Sequence, residues 1–182
     1  MYNNDESELI ARLQDEKTRR AAFEELVNQY SRKLYWQIRH LVVDHDDSDD
    51  VLQNVFLKVW NSIATFKGDS QLFTWLYRIA YNESITFLNK KKAQLSIDDI
   101  DDGIANTLES DEYFDGDETQ IILQEAINTL PDKQRAVFTM KYYEEMKYEE
   151  MAEITGTSVG ALKASYHIAV QKISAYVKAK EL

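Results

Sequence analysis

The spacing of apolar and small residues between positions 148 and 173 constrains the fold more than any other feature of the sequence. Apolar side chains recur at helical intervals on either side of Gly156, at Met151, Ala152, Ile154, Val159, Leu162 and Tyr166. Glycine suits the end of a helix because it adopts the left-handed conformation without steric cost. Thr157 or Ser158 can then accept a hydrogen bond from the free N–H groups of the next helix. The segment predicts two closely linked helices, either a helix-turn-helix or an ordinary helical hairpin.

The composition of the whole chain indicates an all-helical protein. Its 182 residues include one proline and five glycines, and no long segment alternates apolar and polar residues as a strand would. No cysteine is present, which excludes disulfides, thiolate zinc sites and thiol nucleophiles and favours a reducing compartment. The N-terminus is charged from Asp5 onward, and no apolar run approaches the length of a membrane span. We therefore expect a cytoplasmic protein without membrane insertion.

The negative charge of the chain is concentrated in one segment. A net charge of −11 argues against DNA binding, since neutralisation of phosphates supplies most of the affinity. However, residues 1–92 carry 14 acidic and 13 basic side chains, residues 93–120 carry 10 acidic and no basic ones, and residues 121–182 carry 8 of each. Like charges along the middle segment oppose its folding alone. The sequence therefore predicts two modules, 1–92 and 121–182, joined by an acidic flexible linker, 93–120.

Two amphipathic helices are predicted in the first module. Apolar residues follow the i, i+3, i+4, i+7 pattern from about 19 to 43, and a second set runs from 51 to 63. Asp47, Asp49 and Asp50 are expected in the first turn of the second helix, where carboxylates complement the helix dipole and cap free N–H groups. A metal site is the weaker interpretation of this acidic segment, because the glycine and the distal glutamate of a calcium loop are missing.

A loop with Lys67, Gly68, Asp69 and Ser70 leads into a further helix. Its apolar stripe is predicted at Leu72, Trp75, Leu76, Ile79 and Ala80, and its other faces are predicted to carry Tyr77, Arg78, Tyr81, Asn82, Asn89 and Lys90 to Lys92. Aromatic rings beside cationic and amide groups suit unstacked single-stranded bases. Core filling by Trp75, and a favourable lysine charge at the helix C-terminus, explain the same residues without a nucleic-acid role.

Three segments of the chain together resemble the extracytoplasmic-function (ECF) group of sigma factors in the sigma-70 family. The stretch DSDDVLQNVFLKVW resembles the polymerase-binding motif of that family, and FTWLYRIAYN is similar to the helix that follows the loop reading the promoter −10 element. Residues 130–173 resemble region 4, which reads the −35 element. The order of the three segments across an acidic linker is more specific than the helix-turn-helix pattern alone.

The resemblance implies a two-domain, all-helical transcription initiation factor. Its implied partners are core RNA polymerase and promoter DNA, with an anti-sigma factor as a further candidate, and it implies no enzymatic activity, metal or small-molecule cofactor. Polymerase binding is assigned by resemblance to Asp49, Asp50, Gln53, Phe56, Leu57 and Trp60. Binding of the −10 element is assigned to Lys67, Gly68, Asp69, Ser70, Thr74, Trp75, Arg78, Asn82 and Asn89. Binding of the −35 element is assigned to Ser158, Gly160, Ala161, Lys163, Ser165, His167 and Lys172.

The second helix of the helix-turn-helix departs from the family in charge. Many relatives carry arginines late in this helix, whereas this chain has Ser165, Ile168 and Val170. Weak attraction to phosphates is therefore expected. Two other classes stay open from the sequence. A helix-turn-helix repressor would use the same C-terminal module and normally dimerises, and a helical adaptor would bind only protein.

Overall fold

The computed structural model describes residues 4–95 and 118–180, which form helices without any strand. The α-helices are α1 (Asn4–Gln14), α2 (Arg19–Val42), α3 (His45–Ser62), α4 (Leu72–Leu95), α5 (Glu118–Asn128), α6 (Asp132–Tyr142), α7 (Tyr148–Thr155) and α8 (Val159–Lys180). One 3-10 turn, Ile63–Thr65, follows α3. The predicted all-α fold class is confirmed.

Contacts between Cα atoms divide the chain into two compact units. The first comprises Met1–Ser84 and Ala152–Gly156, and the second comprises Ile85–Met151 and Thr157–Leu182. The predicted linker, 93–120, overlaps the last three residues of α4 and the first three of α5, and its residues 96–117 lie outside the described part of the chain. Within the described ranges, no helix is both long enough and apolar enough to cross a bilayer.

The core of the first unit lies between α2 and α3, with α1 packed on α2. Buried side chains of α2 recur every four residues at Ala22, Leu26, Tyr30, Leu34 and Ile38, and those of α3 recur in the same way at Val51, Val55 and Val59. This i, i+4 spacing places each set on one face of its helix. The periodic pattern that predicted a helix from about 19 to 43 therefore identified both the element and its buried face.

The start of α3 differs from the prediction. The helix begins at His45, and its N-cap is Asp44, whose carboxylate accepts a hydrogen bond of 3.0 Å from the backbone N–H of Asp47. Asp44 lies directly after Val43, whose φ of 76° ends the preceding helix. Asp47 lies in the first turn as predicted, whereas Asp49 and Asp50 lie beyond it. The prediction was wrong for these two because the earlier Asp44 occupies the capping position.

Two tyrosines of α4 lie in the core and not on the surface where they were predicted. Tyr77 is 2% exposed and Tyr81 is 8% exposed. The buried side-chain amide of Gln37 on α2 donates a hydrogen bond of 3.0 Å to the backbone carbonyl of Tyr77. An apolar stripe marks one packed side of a helix, whereas α4 is packed on more than one side, so the stripe alone underestimates its buried surface.

The second unit has its core where α5, α6 and α8 meet. Its buried cluster contains Ala126, Ile127, Leu130, Phe138, Ala169 and Ile173. Buried Arg135 on α6 joins two of these elements, since its guanidinium donates to the carbonyl of Asn128 at the end of α5 and to the carboxylate of Asp132. An arginine near a helix C-terminus satisfies a carbonyl that the helix leaves unpaired.

The turn between α7 and α8 has the predicted chemistry. Gly156 has φ of 67°, and its backbone N–H bonds to the carbonyl of Ala152 at 2.9 Å. The hydroxyl of Ser158 accepts a hydrogen bond of 3.3 Å from the N–H of Ala161. The glycine therefore ends α7 in the left-handed conformation, and Ser158 caps α8.

Candidate functional site

One face of α3 is polar at its start and apolar towards its end, and it is open to solvent. Asp50, Gln53, Leu57 and Trp60 follow one another at i, i+3, i+7 and i+10, which places them on a single face opposite the buried valines. Leu57 is 62% exposed and Trp60 is 38% exposed. Large apolar side chains in a contiguous exposed patch indicate a surface that binds another macromolecule.

A ring on α2 supports the aromatic end of this face. Phe23 meets Trp60 edge to face, with ring centroids 5.0 Å apart, and meets Phe56 in the same manner at 6.2 Å. Phe56 is half-buried as a result. Edge-to-face pairs of this kind stabilise the arrangement by about 0.5–1.5 kcal/mol each beyond the burial of their area. Packing on Phe23 thus fixes the orientation of the exposed Trp60 ring.

The polar end of the face is linked to α2 through a histidine. Asp49 is half-buried, and its carboxylate lies 3.7 Å from Nε2 of His45. The other ring nitrogen of His45 lies 2.6 Å from the hydroxyl of Tyr35 on α2. Of the six residues assigned to polymerase binding, Asp49, Phe56 and Trp60 therefore make contacts within the unit. Asp50, Gln53, Leu57 and Trp60 are exposed to solvent.

A pocket of about 320 Å³ lies beside the loop before α4. It is lined by Ser62, Thr65, Phe66, Lys67, Asp69, Ser70, Trp75, Arg78 and Ile79. The buried ring of Phe66 packs against Trp75, with centroids 5.0 Å apart. Gly68 has φ of 75° within this loop, a conformation that side chains other than glycine rarely adopt.

The pocket brings together five of the nine residues assigned to the −10 element. Lys67, Asp69, Ser70, Trp75 and Arg78 line it, and Gly68 shapes the loop between them. The other three occupy other places, since Thr74 is 8% exposed, and Asn82 and Asn89 are exposed farther along α4. Asn89 lies 14 residues after Trp75, which corresponds to about 21 Å along a helix.

The chemistry of the pocket suits an aromatic ligand carrying negative charge nearby. An indole ring offers a stacking surface, the exposed guanidinium of Arg78 offers several donors, and Lys67 adds a second cation. Its volume lies at the lower end of the range for ligand sites, which is about 300–1,000 Å³. A single unstacked base with its phosphate fits these requirements.

On α8, one edge contains Gly160, Lys163 and His167, which follow each other at i, i+3 and i+7 and are all exposed. The ammonium of Lys163 lies 5.6 Å from the ring centroid of Tyr148, at the start of α7. Lys141 lies 5.2 Å from the same ring. Burial raises the pKa of Tyr148, and Tyr166 adds to the effect, so the phenol stays neutral. Cation–π contacts at exposed sites contribute about 0.5–1 kcal/mol.

The remaining residues assigned to the −35 element lie elsewhere on α8. Lys172 donates a hydrogen bond of 2.9 Å to the side chain of Gln134 on α6. Ser165 is half-buried, and Ser158 caps the helix beside the exposed Ala161. The structure thus separates the assigned set into an open edge, the helix start and residues that contact neighbouring helices.

Sequence reasoning missed three supporting residues, namely Phe23, Phe66 and Tyr148. The ring of each contacts a residue that was assigned to a binding surface: Trp60, Trp75 and Lys163, respectively. None of the three was predicted to have a supporting role. An aromatic residue at a helical position gives the same periodic signal whether it fills the core or supports a surface residue. Only tertiary structure distinguishes the two.

Two family models match the chain. The model described as Sigma-70 region 2 matches residues 26–94, which include α3 and the pocket. The model described as Sigma-70, region 4 matches residues 120–173, which include the helix-turn-helix.

Curated relatives match most of the chain. SigW of Bacillus subtilis, an ECF RNA polymerase sigma factor, is 31% identical over 156 residues, covering 80% of this chain and 83% of the relative. The ECF RNA polymerase sigma-E factor of Escherichia coli K12 is 30% identical over 166 residues, covering 86% of this chain and 85% of the relative. These relatives favour the sigma-factor interpretation over the repressor and the adaptor that the sequence left open.

Solved structures share the fold. CnrH, solved in complex with the cytosolic domain of CnrY, aligns with a TM-score of 0.69 at 22% identity and covers 97% of this chain and 99% of its own. The sigma factor RpoE of Bartonella quintana, solved with the anti-sigma factor NepR, aligns with a TM-score of 0.68 at 22% identity. The alignment covers 86% of this chain and 96% of RpoE. The helical fold, the two matched regions and the curated relatives show that this chain belongs to the ECF group of the sigma-70 family of RNA polymerase sigma factors.

Proposed function

We propose that three separate surfaces carry the binding functions of this sigma factor. The protein directs promoter-specific transcription by RNA polymerase. The exposed face of α3 binds core polymerase, the pocket before α4 captures a base of the −10 element, and the open edge of α8 reads the −35 element. Each assignment combines the family resemblance of a segment with the exposure and contacts of its residues.

The observation that carries the polymerase assignment is the exposure of Leu57 and Trp60 beside Asp50 and Gln53 on one helix face. An aromatic anchor surrounded by polar groups is typical of the residues that dominate binding energy in protein interfaces. Support of Trp60 by Phe23 lowers the entropy that the ring loses on binding, because the ring is already positioned. The α3 face therefore suits a stable contact with a protein partner.

The pocket supports capture of a −10 base. An unpaired base can stack on Trp75 while Arg78 and Lys67 attract its phosphate. Thr74 is buried and Asn89 is distant along α4, so they contribute little to this pocket. Within the assigned set, the five lining residues form the proposed −10 site.

For the −35 element, the N-terminal part of α8 would enter the major groove, as the second helix of a helix-turn-helix does. Gly160, Lys163 and His167 form the edge that would face the bases. Lys172, which contacts Gln134, would act mainly on the fold. The small number of cations on this edge is consistent with weak binding of the isolated chain to duplex DNA.

We further infer that residues 1–92 and 121–182 act as separate modules linked by 93–120, and that the protein works in the cytoplasm without catalysing a reaction or holding a cofactor. Two solved structures with the same fold contain partner proteins, and one of those partners is an anti-sigma factor. An anti-sigma factor that covers the α3 face is therefore a candidate regulator of this chain.

The test replaces Asp50 and Gln53 with Ala in the full chain and measures the dissociation constant for core polymerase. Both side chains are exposed, so the variant should stay helical while its affinity falls by about tenfold or more. Glu16→Ala combined with Gln29→Ala is the control, since it also removes one carboxylate and one amide side chain, at exposed positions outside α3. Equal affinity of the wild type and the α3 variant would contradict the assignment.

A further inference from the structure

The helix α1, Asn4–Gln14, lies outside the matched family regions, since the region 2 match begins at residue 26. Its buried residues Leu9 and Leu13 anchor it in the first unit, where it packs against α2 and the 3-10 turn. The helix also carries polar residues, among them Glu6, Arg12 and Gln14. Two of them reach the loop that forms the −10 pocket.

Glu6 and Gln14 hold the two ends of this loop. The side-chain amide of Gln14 donates a hydrogen bond of 2.7 Å to the backbone carbonyl of Phe66. The carboxylate of Glu6 accepts a hydrogen bond of 2.6 Å from the backbone N–H of Leu72. Residues 67–71 lie between these two anchor points, and they include all four loop residues assigned to the −10 element.

The Glu6 contact satisfies a backbone group that the helix leaves unpaired. Leu72 is the first residue of α4, so its N–H has no partner within the helix, and a carboxylate there also complements the positive end of the helix dipole. A hydrogen bond to a charged acceptor is roughly twice as strong as a neutral one. Phe66 follows the 3-10 turn and places its ring against Trp75, so the anchored residue is itself a wall of the pocket.

The helix α1 is in turn fixed to α2. Arg12 pairs with Glu25 at 2.8 Å, and the hydroxyl of Thr18 donates to the backbone carbonyl of Arg12 at 2.8 Å. The guanidinium of Arg19 donates to the carbonyl of Leu13 at 3.0 Å. The two residues that hold the loop therefore stand on a helix whose C-terminal end is tied to the core.

We propose that α1 is a brace for the −10 loop, in which Glu6 and Gln14 are positioning residues that set the base preference of the pocket without touching DNA. The proposal rests on the proposed function of this loop and pocket in −10 recognition. With both ends held, residues 67–71 have a restricted set of conformations, and a pocket of fixed shape discriminates among bases better than one that adapts. Release of either end widens the set of conformations and relaxes that discrimination.

The test uses two pairs of variants of the full chain. Glu6→Leu removes the acceptor, and Glu8→Leu makes the same change at an exposed position of the same helix. Gln14→Glu removes the donor and adds a negative charge, and Ala11→Glu adds that charge at another exposed position of α1. Glu6→Gln removes the charge but keeps an acceptor oxygen, so it should restore part of the wild-type behaviour, which a pure charge effect would not predict.

The first measurement is amide hydrogen exchange of residues 66–75 in the free protein. Exchange should become about tenfold faster in Glu6→Leu and Gln14→Glu and stay unchanged in the controls. The second is transcription by the reconstituted holoenzyme from two promoter libraries, one randomised in the −10 element and one in the −35 element. The −10 base preference should flatten several-fold in the two brace variants, while their −35 preference stays at the wild-type level.

The outcomes separate the brace from the proposed −10 site. Unchanged exchange in both brace variants would overturn the brace, whatever happens to transcription. Faster exchange with an unchanged −10 preference would overturn the assignment of this loop to the −10 element, and the brace function with it. Equal changes of −10 and −35 preference would indicate a general loss of holoenzyme formation and would also refute the proposal.

Discussion

Two glycines four residues apart should respond to alanine in opposite directions. Gly156 has φ of 67°, whereas Gly160 is the second residue of α8 and is helical, and a Cβ added to either would meet no atom within 4 Å. Steric overlap therefore plays no part, and only backbone conformation distinguishes the two positions. The left-handed conformation costs an alanine roughly 1–2 kcal/mol. A helical alanine is favoured over glycine by roughly 0.5–1 kcal/mol.

The expected free-energy changes follow from these values. Gly156→Ala should destabilise the helix-turn-helix by about 1 kcal/mol, because the strain is partly offset by a stiffer unfolded chain. Gly160→Ala should stabilise it by about 0.5 kcal/mol, since the position is close to the helix start. Amide exchange in α6 and α8 of the full chain, measured under conditions that report the opening equilibrium, should differ about tenfold between the two variants.

Transcription adds a second, independent expectation for Gly160. If its edge of α8 enters the −35 groove, the new methyl group should lower initiation from a −35-dependent promoter although the protein is more stable. Gly156→Ala should lower initiation only as far as its lost stability explains. Equal stability of the two variants would refute the conformational argument, and full activity of Gly160→Ala would place the DNA on another face of α8.

Two further predictions concern charged groups. Lys163→Ala should weaken −35-dependent initiation by about 1–3 kcal/mol if the lysine reads a base. If the lysine contacts a phosphate, the variant should instead lower the slope of promoter affinity against salt concentration by about one unit. Lys172→Ala, whose lysine contacts α6, is the control, and unchanged initiation and salt slope in Lys163→Ala would count against either role. Burial, with a smaller effect of Arg39, lowers the pKa of His40 from 6.5 to about 4, so the unfolded chain takes up the proton first as the pH falls. Stability should therefore be complete above about pH 6.5 and decline towards pH 4 by up to about 1.4 kcal/mol per pH unit. Urea unfolding at pH 7, 6 and 5 should show a smaller decline for His40→Gln, and equal declines would contradict this origin.

The sequence predicted those features that depend on neighbours along the chain. The helix expected from about 19 to 43 is present as α2, and the turn has Gly156 in the left-handed conformation with Ser158 as the cap of α8. Periodicity and capping involve residues within about four positions of each other, so they can be read from one sequence. Periodicity also predicted the apolar set of α3, whereas its polymerase-binding motif was assigned by resemblance to the sigma-70 family.

The sequence did not predict features that depend on distant residues. The hydrogen bonds of Gln14 and Glu6 join groups 52 and 66 residues apart, and the side chains alone give no sign of these partners. Tyr77 was expected at the surface because a period describes one buried side of a helix, and its burial becomes visible only when the neighbours of α4 are known. For the pocket, the motif identified the loop, while the packing of Phe66 on Trp75 selected which residues line it.

The core of the second unit has a consequence for the order of events during synthesis. Ala126, Ile127, Leu130 and Phe138 are covered by Ala169 and Ile173 of α8, which leaves the ribosome after them. The chain grows at about 5–20 residues per second, and domains generally fold as units, N-terminal first. The helices up to α4 can therefore fold before α8 has been synthesised and packed over these apolar side chains. A ribosome that stalls before residue 169 would hold a chain in which the exposed face of α3 can already form while the apolar side chains of the second unit stay uncovered and prone to aggregation.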